Sequence, residues 1–83
     1  MKNETNMTDL RYSLTDGRLK ANRLAVALEH LYAAEEQLGI IGIVDSAFGD
    51  LIERIEDEHM QASMAVQADE ERIQEMLEAY CND

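Results

Sequence analysis

From Phe48 to Tyr80 the chain carries a seven-residue rhythm that never slips. Steps of four and three pass through Phe48, Ile52, Ile55, His59, Ala62, Val66, Asp69, Ile73, Met76 and Tyr80, and eight of these ten positions are apolar or aromatic. On an α-helix that spacing lays one seam along one side, the pattern by which helices pack lengthwise against each other. The chain contains no proline, and its last glycine is Gly49. Nothing therefore interrupts a helix over 46–81, which Asp45 or Ser46 can cap. Asp69 is the one position where a break is conceivable, because Asp69-Glu70-Glu71 would suit the positive end of a new helix dipole. The strong helix formers around 61–71 favour continuity.

An earlier helix is expected from about Asp16 to Leu38, capped by Thr15 or Asp16. Leu24, Leu28, Leu31 and Leu38 form its stripe, flanked by Ala21, Ala27 and Ala34, which let a neighbour approach. Gly39 is the expected stop. Residues 1–14 are expected to be a polar N-terminal arm, with Leu10, Tyr12 and Leu14 alternating as in a short extended piece, and residues 15–83 a single helical domain. The fold class is all-α: an antiparallel helical hairpin with a long second helix, or a three-helix bundle if Asp69 breaks it. Between the helices, Ile40-Ile41-Gly42-Ile43-Val44 is apolar for a turn. An end-cap of the core is the first expectation for it, then the opening turn of the next helix, then an exposed adhesive patch.

Length leads to an expectation of self-association. A helix over 46–81 is about 54 Å long and one over 16–38 about 35 Å, so the longer overhangs by about 20 Å. The overhanging seam, Val66, Ile73, Met76 and Tyr80, needs cover from the arm or from a second copy, and a homodimer is expected. The size of the chain points the same way. Its 83 residues allow one domain, which hides only about 60–65% of its unfolded surface. Hydrophobic residues make up 46% of the chain, far more than a disordered segment carries.

Charge is divided along the chain. Residues 1–23 carry five basic and three acidic side chains, whereas residues 24–83 carry Arg54 and Arg72 against fifteen acids, a net −13. In a hairpin turning near 39–44, position 23 lies level with about 60 and position 11 with about 72. The basic residues Arg18, Lys20 and Arg23 then face the acidic stretch Glu58 to Glu71. That pairing also compensates for their unfavourable place at the start of the expected first helix. Glu35, Glu36, Glu53, Asp57, Glu75 and Glu78 remain as free acidic surface, the expected partner-binding residues. An overall −11 repels phosphates, so neither nucleic acid nor an anionic membrane is expected as a direct partner, and a basic protein is.

One constellation has metal-ligand spacing. Glu56 and His59 stand three apart, on one side of a helix, and Glu29 on the neighbouring helix lies level with about position 54. Carboxylate-bridged di-iron bundles combine such a pair with a glutamate from another helix, and a dimer would double the set. A solvated acid beside a core histidine is the commoner meaning of the same residues, and no cofactor is expected. The twelve residues from Asp45 to Glu56 begin and end like a calcium loop, but Ala47 and Gly49 occupy ligand places and Asp50 stands where glycine is required. No nucleophile has a credible base, and there is no phosphate loop, so the chain is not expected to be an enzyme.

The single cysteine, Cys81, excludes an internal disulfide and fits a reducing compartment. Residues 1–23 lack the apolar core of a secretory leader, and the cytoplasm, bacterial or of a phage-infected cell, is the location expected. Three functions are weighed: an acidic inhibitor or regulator that occupies a basic, even nucleic-acid-binding, surface of a partner; a metal-binding helical dimer built on Glu29, Glu56 and His59; and a structural subunit that assembles with itself.

Overall fold

The seven-residue rhythm becomes two long helices lying side by side. In the computed structural model α1 spans Lys2–Ile40 and α2 spans Ser46–Cys81. The structure describes residues 2–81 and the side chains of 7–80. The side chains of Lys2, Glu4 and Cys81 thus lie outside it, as do those of Asn3 and Asn6, which open the two Asn-x-Thr triplets at 3–5 and 6–8. Among the described residues there is no strand.

In α2 the seam forms as its spacing predicts. Ile52 and Ala62 are buried, and Phe48, Ile55, His59, Val66, Asp69, Ile73 and Met76 are half-buried. Tyr80 is the exception, 82% exposed at the open end. The helix runs through Asp69 without a break. The reason lies across the seam, where the Ser13 hydroxyl donates a hydrogen bond of 2.7 Å to Asp69 Oδ2. A half-buried carboxylate with a donor costs far less than one without, so Asp69 is tolerated within the seam and starts nothing new.

The first helix differs from expectation. It starts at Lys2 rather than near Asp16, and the region taken for an extended arm is helical. Thr15 caps nothing; its hydroxyl donates to the Arg11 carbonyl one turn back, at 3.0 Å, inside the helix. The physical reason is that the leucine stripe continues upstream. Met7, Leu10, Leu14, Gly17, Ala21, Leu24, Leu28, Leu31 and Leu38 share one heptad register, and each is buried or half-buried. Only Glu35 interrupts the register, exposed near the turn. Amphipathic burial of this kind stabilises a helix more than intrinsic propensity does. The 20 Å overhang disappears with the arm: α1 matches α2 in length and covers its seam to Met76. Arg18, Lys20 and Arg23 consequently lie in mid-helix, where the dipole argument made for a helix start does not apply.

The turn is closed by backbone chemistry. The Ile43 N–H donates to the Leu38 carbonyl at 2.9 Å and the Gly42 N–H to Gly39 at 3.1 Å. With Gly42 at φ +79°, this is the Schellman arrangement, in which a left-handed residue lets the last carbonyls find donors. Gly42, not Gly39, is therefore the stop, and Gly39 is an ordinary helical residue. Three residues on, Asp45 Oδ1 accepts the Ala47 N–H at 2.9 Å and the Asp45 carbonyl accepts the Gly49 N–H at 3.2 Å, which makes Asp45 the N-cap of α2. The apolar turn caps no core. Ile40, Ile41 and Val44 are 72%, 67% and 93% exposed, so the last-ranked expectation, an exposed apolar patch, is the one observed.

The result is a rod of 64 × 19 × 14 Å with a radius of gyration of 18.5 Å, against about 12 Å for a compact domain of this length. Among the described residues only Leu28, Ile52 and Ala62 are buried hydrophobics, and no large side chain is fully enclosed. One helix packed on one helix has a seam but no centre.

Candidate functional site

With both seams facing inward, the side of α2 that points away from α1 is set by geometry. Positions two residues from two successive seam residues lie about 160° from each, since each helical residue turns 100°. For α2 these are Asp50, Asp57, Met64, Glu71 and Glu78, spaced by seven and all exposed. Glu53 and Glu75 are exposed beside them. This outer face extends about 42 Å from Asp50 to Glu78. At its centre two methionines break the charge, Met60 and Met64, at 55% and 61% exposure.

Of the six acids expected to be free, four (Glu53, Asp57, Glu75 and Glu78) belong to this outer side. Glu35 and Glu36 are exposed as well, but near the end of α1. Glu35 borders a small cleft with Leu38, Ile43, Val44 and Phe48 at the hairpin tip. Sequence reasoning overlooked Asp50 and assigned Glu71 to internal pairing. The signal was present, because both stand at multiples of seven from Asp57.

The internal pairing forms in the expected register for two of its three cations, Arg18 and Lys20, and among the described residues Arg23 makes no ion pair. Arg18 reaches Glu70 at 3.6 Å and Lys20 reaches Glu58 at 3.9 Å. Both pairs are solvated, and pairs of that kind contribute roughly 0–1 kcal/mol each. They set the sign of the surface more than its stability: Arg18 and Lys20 are matched by acids across the interhelical rim, while the outer face of α2 keeps its row of acids with one exposed cation, Arg54, beside it.

The residues proposed to seal a dimer have other neighbours. Val66 packs against Gly17, where an added Cβ would come within 2.9 Å of Val66 Cγ2. Met76 lines a shallow groove with Asp9, Leu10, Ser13, Asp69, Arg72 and Glu75. Val66, Ile73 and Met76 are thus half-buried within one chain, and Tyr80 stays in solvent.

Glu29, Glu56 and His59 are not gathered into a site. Among the described residues no three His, Cys, Asp or Glu side chains are arranged to hold a metal ion. Glu56 instead accepts a hydrogen bond from the Tyr32 hydroxyl. That bond holds the Tyr32 phenol above its usual pKa of 10.0, with smaller contributions from desolvation and from the charges of Glu56 and Glu35. Glu29 is exposed on α1.

Among the described residues no helix is long and apolar enough to cross a membrane. Comparison with protein-family models, with curated proteins and with solved structures finds no match to this chain.

Proposed function

We propose that the protein is a small acidic binding module, an inhibitor or regulator that works by occupying a basic surface of a partner protein. The observation that carries this reading is the outer face of α2: Asp50, Asp57, Glu71 and Glu78 in line, with Glu53 and Glu75 beside them, on the side turned away from α1. A rigid helix holds those carboxylates at fixed spacing, so a partner meets them without first ordering a loop. Met60 and Met64 add adaptable apolar contact at the centre, where binding energy is usually concentrated. A basic surface that ordinarily takes nucleic acid would fit, because both ligands present a regular row of negative charge. No catalytic role is proposed.

The test is a pull-down from native lysate with wild-type protein and with Asp57→Lys/Glu71→Lys/Glu78→Lys, washed at low and then high salt. The reading expects a stoichiometric basic partner that leaves as salt rises and that the reversed variant does not retain. Equal retention by both proteins, at either salt, would remove the acidic face from the account.

A second reading, a self-assembling structural subunit, is favoured by the exposed turn Ile40 to Val44. Ile41→Asp/Ile43→Asp should abolish assembly if that turn is the adhesive, and unchanged assembly would exclude it.

A further inference from the structure

The outward side of α1 is unlike that of α2. The positions opposite its seam are Tyr12, Leu19, Val26, Ala33 and Ile40, spaced by seven and all exposed. Tyr12, Leu19, Val26 and Ile40 are 69%, 56%, 50% and 72% exposed. Helix α1 is therefore apolar on two opposite sides, one facing α2 and one facing water. A helix with two apolar sides is the pattern of an inner helix.

We propose that this second stripe is the interface of a homodimer in which two copies of α1 pack antiparallel about a two-fold axis at Val26. Three arguments converge. The first is area. A compact monomer of 9.4 kDa exposes about 5,000 Å², whereas the hairpin exposes 6762 Å². The surplus is roughly 1,700 Å² per chain by the same scaling, and a stable dimer removes about 800 Å² or more per partner. The hairpin thus exposes enough surplus surface for a second copy to bury.

The second argument is register. The five stripe positions are symmetric about Val26. Antiparallel pairing centred there sets Val26 on Val26, Leu19 on Ala33 and Tyr12 on Ile40 of the partner copy, large against small at the middle layer. The third is charge. Beside the stripe stand Asp16 and Arg23 in the first part of α1, and Glu29 and Glu36 in the last part. A parallel pair would set each group on its own kind. Antiparallel pairing sets Arg23 opposite Glu29 of the partner copy and leaves Asp16 opposite Glu36 as the one unfavourable pair on the rim. The dimer is then a four-helix layer with the two α1 helices inside and the two acidic α2 faces outside, about 42 Å long each. This surface is on the other helix from the acidic face, and the proposal does not rest on that reading.

Sedimentation equilibrium of the full chain tests it, with a cross-linking series to fix the register. The wild type should sediment at twice 9.4 kDa. Val26→Glu should raise the dimer dissociation constant by at least about a hundredfold, because two carboxylates would meet in an apolar strip. If Val26→Glu also loses helix by circular dichroism, the cross-links decide. In a Cys81→Ser background with diamide as oxidant, Val26→Cys should link two chains. Helix axes about 9 Å apart with Cα atoms at a radius of about 2.3 Å leave about 4.4 Å between facing Cα atoms, at the lower end of the disulfide range. Leu19→Cys alone should not link, since its two copies lie about 21 Å apart along the axis, while Leu19→Cys/Ala33→Cys should. A monomeric mass for the wild type, or linking by Leu19→Cys alone as efficient as by Val26→Cys, overturns the proposal and assigns the stripe to a different partner or a different pairing. Loss of lysate partner binding by the α2 charge variants, with the dimer intact, would show the two surfaces to be independent.

Discussion

Gly17→Ala is a sharp probe of whether the first third of the chain packs as helix. In an isolated helix, alanine is better than glycine by about 0.8–1.0 kcal/mol. At Gly39, where an added Cβ meets nothing within 4 Å, that gain should appear almost in full. At Gly17 the new Cβ would stand 2.9 Å from Val66 Cγ2, and ordinary carbon–carbon contact lies near 3.5–4.0 Å. Relief requires either that α1 and α2 separate by about 0.6–1 Å, measured against that contact distance, or that Val66 leaves the single χ1 well that a β-branched residue strongly prefers in a helix. Overpacking of this sort costs about 1–3 kcal/mol. Set against the propensity gain, Gly17→Ala should be neutral to about 2 kcal/mol destabilising. Its unfolding midpoint should then fall below that of Gly39→Ala by several degrees, at about 4–8 °C per kcal/mol for a chain of this size. Thermal unfolding followed at 222 nm, at one fixed protein concentration, measures both. Adding Val66→Ala to Gly17→Ala should recover part of the loss, a coupling of about 0.5–3 kcal/mol expected of residues in contact. If Gly17→Ala stabilises as much as Gly39→Ala and shows no coupling to Val66, residues 7–17 do not pack on α2, and the full-length hairpin is refuted.

Other predictions follow from the turn and from Tyr32. Gly42→Ala forces a side chain into φ +79° and should cost about 1–2 kcal/mol, opposite in sign to Gly39→Ala in the same denaturation assay. Asp45→Ala removes the acceptor of the Ala47 N–H and should cost about 0.5–2 kcal/mol, whereas Asp45→Asn should cost much less. The Tyr32 phenol is held above 10.0 by its bond to Glu56. The folded state thus binds its proton more tightly than the unfolded state. The associated stability is present below the unfolded pKa near 10 and is lost as pH rises through the higher folded value. Absorbance titration of a Tyr12→Phe/Tyr80→Phe protein should show a midpoint above 10, and Glu56→Gln should lower it.

How far the sequence could be read depended on which residue types carried the pattern. The α2 seam was legible because phenylalanine, isoleucine, valine and methionine dominate it, and the one misplaced acid, Asp69, kept the register. The antiparallel register was legible too: Gly17 against Val66 and Ser13 against Asp69 fall where equal rises from the turn place them. The start of α1 was not. Leu10, Leu14, Gly17 and Ala21 extend the leucine stripe in perfect step, but a glycine and an alanine at seam positions look like gaps when apolar bulk is what is sought. At Gly17 the small residue lets α2 come close, with Val66 against it. The stop at Gly42 was missed because two glycines compete, and only the hydrogen bonds of the turn decide between them. For the working surface, the unpaired acids include Glu53, Asp57, Glu75 and Glu78, but the α2 row is divided, because Glu71 ends the acidic stretch from Glu58 that the hairpin register sets against the basic residues of α1. The apolar stripe of α1 was hidden in the same way: seven-residue spacing places Tyr12, Leu19, Val26, Ala33 and Ile40 far apart along the chain, and none of them adjoins another in sequence.

The measurement that tests the central claim most directly is the salt dependence of binding to the captured partner, taken for wild type and for Asp57→Lys/Glu71→Lys/Glu78→Lys. Exposed charges are screened over about 10 Å at 0.1 M salt and about 3 Å at 1 M. If the outer face of α2 is the working surface, Kd for the wild type should rise steeply with salt, and the reversed variant should bind weakly at every salt concentration. A wild-type Kd that stays flat across that range, matched by the variant, would contradict the claim and place the binding surface elsewhere on the hairpin.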